Sequence, residues 1–188
     1  RRGRNWRHSG CGRGWWRVKQ SSVLCLVLLS ATACRDDLTA QKPLLCPESA
    51  LFAEAVQPYL EKRCGTLDCH GSSQRPLSIY GQFGLRHPLE ANVSGGEPTT
   101  AVESNANYLS ACSLEPELMA GALENLGASA DKLKLVAKPR GQMNHKGGRV
   151  VNEGDPGDRC IMGWVGAISN EDAARVRAEC KTALESLK

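Results

Sequence analysis

The chain has 188 residues, with 24 basic and 20 acidic side chains and a net charge of +4. Seven of the basic residues precede Cys34 with no acid among them, which leaves 17 against 20 and a net charge of −3 for the remainder. The basic balance therefore gives no case for a nucleic-acid partner, and the chain from Cys34 onward is long enough for one domain with a core.

Residues 1–34 carry Arg1, Arg2, Arg4, Arg7, Arg13, Arg17 and Lys19, then the apolar run Val23-Leu24-Cys25-Leu26-Val27-Leu28-Leu29, then small residues up to Cys34. A basic lead, a short apolar run and small residues before a cleavage point predict a secretory signal, and the run is too short to favour an uncleaved anchor helix. Ala31-Thr32-Ala33-Cys34 resembles the lipobox of bacterial lipoproteins, which implies lipidation of Cys34 and a mature chain that starts there. The expected location is the cell envelope: exported, and held to a membrane by the lipid anchor. Residues 35–46 are polar and aperiodic and are expected to be a tether, with the domain spanning residues 47–188.

From Pro47 the pattern turns helical. Leu51, Phe52, Ala55, Val56, Tyr59 and Leu60 recur at three- and four-residue spacing and form one apolar face that ends just before Cys64. Pro58 lies inside this run and is expected to kink or restart it. The helix delivers the chain to Arg63-Cys64-Gly65-Thr66-Leu67-Asp68-Cys69-His70-Gly71. Two thiols can add across the vinyl groups of a haem while the adjacent imidazole takes the iron, so a Cys…Cys-His run points to covalent c-type haem attachment. The usual spacing has two residues between the cysteines, and here there are four. A short-loop Cys64–Cys69 disulfide beside an unrelated histidine is the alternative. Zinc would need a second close pair of ligands, and the remaining cysteines are scattered singly.

Residues 72–97 are rich in glycine and proline and read as loop, with Leu77-Ser78-Ile79-Tyr80 the one short extended piece. His87, beside Pro88, reads as a surface histidine. Helices are predicted over Pro98 to Ala111 and over Pro116 to Leu126, the second stopped by Gly127, with Met119 in the core. The stretch from Lys138-Pro139 to Gly147-Gly148 places Met143 and His145 two residues apart on glycine-rich backbone, where either could reach a haem iron from the far side. Asp155 is expected to cap a helix with Pro156 in its first turn and Cys160, Ile161, Trp164, Val165 and Ile168 as its buried stripe. Ser169 opens a last helix, with Val176, Cys180, Ala183, Leu184 and Leu187 facing inward. With no strand-rich region and no repeat, the fold is expected to be mainly α.

Export would put the cysteines in an oxidising compartment. Cys46, Cys112, Cys160 and Cys180 are then an even set with three possible pairings, and Cys46–Cys180 with Cys112–Cys160 is the expected one, because the first would tie the terminal helices together.

Together, Val56-Gln57-Pro58-Tyr59-Leu60 before Cys64, the Cys69-His70-Gly71 run, Arg75-Pro76-Leu77, Tyr80-Gly81, Lys138-Pro139, His145-Lys146-Gly147-Gly148, and Gly157-Asp158-Arg159-Cys160 with Trp164 resemble the cytochrome c-like domains of exported bacterial lipoproteins of the myxobacterial type. The resemblance covers roughly residues 48–168 and implies a small helical cytochrome c-like domain. It implies haem c bound through Cys64 and Cys69, with His70 as proximal ligand. It also favours His145 over Met143 as the distal ligand. Phe52 and Trp164 are expected to line the haem pocket. The expected function is electron transfer with redox protein partners, without enzymatic chemistry. The rival expectation is a haem-free, disulfide-stabilised envelope lipoprotein that serves as an interaction or structural module.

Overall fold

The computed structural model describes residues 43–187. The expected signal, the lipobox-like run and Cys34 lie outside the described residues. The compact unit begins at Pro43, so residues 43–46 belong to the domain rather than to the expected tether. Among the described residues the fold is mainly α, with no strand.

Helix α1 (residues 49–64) runs through three consecutive segments: Ser49–Leu51, a π-helical turn Phe52–Val56, and Gln57–Cys64. In the π turn the Gln57 N–H bonds back to the carbonyl of Phe52. Pro58 follows immediately. It has no N–H to donate, and in a regular helix its ring would crowd the carbonyl four residues back. The widened turn takes up that misfit, so the irregularity expected at Pro58 falls just ahead of it.

Helix α2 is Ala101–Cys112, opened by a capping box in which the Thr100 hydroxyl accepts from the Glu103 N–H and the Glu103 carboxylate accepts from the Thr100 N–H. Helix α3 is Pro116–Glu124. It ends where Leu126 and Gly127 both turn left-handed and the Gly127 N–H reaches the Ala122 carbonyl at 2.7 Å. A short helix α4, Lys134–Ala137, precedes α5, Pro156–Gly166, and α6, Asn170–Glu185. Asp155 holds the N-cap position of α5, but its carboxylate accepts from the Asn152 backbone at 2.9 Å and makes no cap bond to the helix. None of the described helices is long and apolar enough to cross a membrane.

The turn at residues 167–169 reverses the chain and packs α5 and α6 as a pair, against which α1 lies. Phe52, Trp164 and Tyr108 form an aromatic cluster with centroid separations of 5.0 Å for Phe52–Trp164 and 5.6 Å for Phe52–Tyr108. Phe52 and Trp164 are both fully buried, each stabilising the fold by roughly 2–3 kcal/mol. The indole N–H of Trp164 donates to the Glu48 carbonyl at 3.0 Å, and the Tyr108 hydroxyl donates to the Pro47 carbonyl at 2.8 Å. The chain entering α1 is thereby fixed across α2 and α5. Contrary to expectation, then, these two aromatics build the helical core and do not face a cofactor cleft.

The disulfides also differ from the expected pairing. Cys46 bonds to Cys112, and Cys160 bonds to Cys180, with Cα–Cα distances of 5.6 and 4.7 Å. The reason is local topology. The segment entering α1 lies against the end of α2, where Tyr108 and Trp164 hold it, and the turn between α5 and α6 sets Cys160 of α5 opposite Cys180 of α6. Each bridge joins neighbours in the fold, and neither ties the two terminal helices to each other.

Candidate functional site

Helix α1 ends at Cys64, where the Gly65 N–H bonds back to the carbonyls of Leu60 and Glu61 at 3.1 and 2.9 Å. The chain then coils on itself. Cys69 and Gly71 both donate to the Thr66 carbonyl at 2.9 Å, and the His70 N–H donates to the Cys64 carbonyl at 2.9 Å. This last bond brings His70 back beside the end of α1 and pushes the extra residues outward: Leu67 and Cys69 are exposed, whereas Cys64 and His70 are half-buried. Glycine makes the coil possible. A Cβ on Gly71 would collide with the Gly65 carbonyl and lie 2.7 Å from the Cα of Gly84.

His70 is held from the other side by the segment after Pro76. Its Nδ1 lies 2.9 Å from the Leu77 carbonyl, and the Ile79 N–H donates to its own carbonyl at 2.8 Å. That segment, expected to be extended, forms no strand. It is strapped to α2 instead, with the Ser78 N–H on the Ser110 hydroxyl at 2.9 Å and the Tyr80 N–H on the Asn107 side-chain oxygen at 2.7 Å.

His145 faces His70. Its Nδ1 lies 2.8 Å from the Gly148 carbonyl. A ring nitrogen beside a carbonyl carries the proton, so in the neutral form of each ring it is Nε2 that is free to bind. Their ring centroids are 6.1 Å apart and their planes differ by 13°. A centroid separation of about 6 Å leaves room for one ion between two imidazoles whose Nε2 atoms are turned toward each other, with bonds of about 2 Å. Burial first, then the charges of His145, Arg75 and Lys138, hold the His70 imidazolium down, against the Leu77 hydrogen bond, so the neutral, ligating form is favoured.

Both rings open on a cleft of about 250 Å³ whose walls include Leu60, Leu77, Leu135, Pro139 and Ile161. Cys64 also lines it, and burial pushes this thiol up to about 12, opposed by Arg63 and reinforced by Cys69, so it stays protonated at neutral pH. The charged residues on the lining are Lys134 and Lys138. Lys134 is paired with Glu115 at 3.1 Å. Among the described residues no acid lines the cleft, so its electrostatics favour an anionic group over a cationic one.

Of the residues singled out in the sequence, the cleft therefore brings together Cys64, His70 and His145. Cys69 is exposed and off the lining, and Cys64 and Cys69 are not bonded to each other. Met143 is 41 % exposed and off the lining. His87 lies elsewhere, stacked edge-on to Tyr80 with its Nδ1 accepting from the Leu89 N–H. Among the described residues no three His, Cys, Asp or Glu side chains converge to hold a metal ion. Two imidazoles leave a six-coordinate ion four ligands short, which a planar porphyrin would supply. His70 and His145 are the residues that could hold an iron porphyrin in this cleft, with the Cys64 thiol on its wall available for a thioether bond.

Several supporting residues carry no motif. The Leu77 carbonyl and the Asn107 and Ser110 side chains have no signature in the sequence. Gly147-Gly148 after His145 is a partial signal, since the Gly148 backbone is left-handed and its carbonyl turns back onto the imidazole. Arg63, next to Cys64, donates to the Val150 carbonyl and joins the helix end to the His145 loop. No family model matches the chain, and neither a curated protein nor a solved structure similar to it was found.

Proposed function

We propose that this chain is a c-type haem-binding electron-transfer protein of the cell envelope, exported and anchored through a lipid on Cys34. The observation that carries the reading is the facing pair His70 and His145, with centroids 6.1 Å apart and each Nδ1 tied to a carbonyl. In this reading Cys64 and Cys69 would hold the porphyrin through thioether bonds, and His70 and His145 would ligate the iron. The bound iron would supply a one-electron couple. With His70 and His145 both engaged in holding the group, the residues would serve to hold, orient and desolvate a carrier rather than to perform substrate chemistry. Two imidazole ligands give a lower potential than an imidazole and a thioether. Redox protein partners at the membrane surface would exchange the electrons.

A second reading has its own support. The aromatic cluster and both disulfides use none of Cys64, His70 and His145, so a haem-free, disulfide-stabilised lipoprotein acting as an interaction or structural module would also fold. One experiment separates the two. The exported chain is produced together with haem-attachment machinery and run on a denaturing gel with a haem stain, alongside His70→Ala. The carrier reading expects a retained stain and a Soret band in the parent and loss of the band in the variant. A colourless parent whose mass is that of its residues and acyl chains sinks it.

A further inference from the structure

The segment that carries His145 joins α4 to α5. In residues 141–149 every side chain but that of His145 is exposed, so burial of apolar surface does not place the imidazole. The neck of the loop does. The Val150 and Val151 N–H groups both donate to the Pro139 carbonyl, at 2.8 and 3.2 Å, and the Gln142 N–H donates to Ala137 at 2.9 Å. Beside this neck Arg140, only 7 % exposed, sends Nε and Nη2 to the two carboxylate oxygens of Asp158, both at 2.7 Å. Asp158, 4 % exposed in the first turn of α5, also accepts the Gly154 N–H at 2.8 Å.

We infer that the buried Arg140–Asp158 pair positions His145 against His70, referencing the loop to the same helix that supplies Ile161 to the cleft wall. A buried ion pair gains little stability over apolar side chains of equal volume, whereas a bidentate fork fixes distance and orientation together. The pair is thus suited to a geometric task, and it touches neither imidazole. Its consequence for iron ligation rests on the proposed haem reading; the ordering of the loop does not.

Two variants and two readouts test this. Arg140→Lys keeps the charge and loses the fork, and Asp158→Asn keeps the shape and loses the charge. In the haem-free protein, hydrogen exchange of the Gln142, Val150 and Val151 amides should quicken by roughly tenfold or more in either variant, while α5 and α6 keep the parent rate. In the haem-loaded ferrous protein, carbon monoxide should bind roughly tenfold to a hundredfold more tightly in the variants, the range that outer-shell partners of a ligand command. Unchanged exchange at the three amides overturns the inference, as does acceleration spread equally over α5 and α6, which would make the pair a general stabiliser. Should Asp158→Asn not fold, Arg140→Lys decides. Should even the parent take no haem, the carrier reading falls and the exchange result still judges the clamp.

Discussion

The helical body and the cleft sit on the same α1 helix and are held together by different means. In the body, Phe52, Tyr108 and Trp164 interlock and four cysteines pair off, so position is set by apolar side chains and covalent bridges. At the cleft end, Cys64 and Cys69 stay free although they lie close in sequence, and position is set by backbone hydrogen bonds, close glycine contacts and buried polar clamps. The body can lose apolar volume and relax around the gap. The cleft has no such reserve, because each imidazole is aimed by one carbonyl, and a displacement of one backbone segment misaims it.

The contrast is sharpest in Trp164→Ala, which should cost about 3–5 kcal/mol, since a fully buried indole leaves a cavity that helices can only partly close. The drop is read from denaturant unfolding, and the fraction still folded should take up haem as the parent does. If instead uptake is lost while the variant remains folded, body and cleft are not separate in this sense.

Removing the bridges gives the next effects. Cys46→Ala with Cys112→Ala opens a link across 66 residues of sequence and should cost about 4 kcal/mol, and Cys160→Ala with Cys180→Ala, across 20, about 3 kcal/mol. Equal losses in the two double variants would mean that loop closure is not what the bridges contribute.

Gly71→Ala inverts the pattern. Its new methyl meets the Gly65 carbonyl and the Gly84 backbone, none of which belongs to a flexible side chain, so the coil that returns His70 to Cys64 must open. The expected cost to stability is smaller, about 1–3 kcal/mol, but haem retention on a denaturing gel should be largely lost. Retention equal to the parent would show that the coil need not close as tightly as it does here.

How much of this was legible in the sequence follows the same division. Helical periodicity exposed α1, α3, α5 and α6 to within a few residues, because each buries apolar side chains at helical spacing, and the even cysteine count pointed to two bridges; α2 also lies close to its expected bounds, although its buried face carries Glu103 and Asn107 while Val102 and Leu109 are exposed. The pairing was not legible, since it depends on which elements become neighbours: Cys46 is placed by bonds from Tyr108 and Trp164 that no local pattern announces. The roles given to Phe52 and Trp164 failed for a related reason. A scarcity of aromatics does not say where the few present will gather. At the cleft, Cys64, His70 and His145 were visible as chemistry-bearing residues, but what aims them was hidden. The Leu77 carbonyl is main chain, and Arg140 with Asp158 looks like two ordinary surface charges until the loop neck buries them.

The smallest effect expected is the one that most directly tests how the distal side is read. Met143 and His145 are two residues apart on the same exposed loop, and spacing alone does not choose between them. Their surroundings differ: the His145 ring lies 6.1 Å from that of His70 with its Nδ1 on Gly148, and the Met143 thioether is exposed and off the cleft lining. Met143→Leu keeps size and apolarity while removing the sulfur, so stability should stay within about 0.5 kcal/mol of the parent. The reduction potential and the absorption spectrum of the haem-loaded protein should not move either. A methionine ligand raises the potential relative to a second imidazole, so its loss would lower the potential and remove the far-red absorption of a thioether-bound ferric haem. A fall in potential on Met143→Leu would show that the loop turns over when the porphyrin binds. The clamp at Arg140 would then be holding the neck for a different ligand two residues earlier.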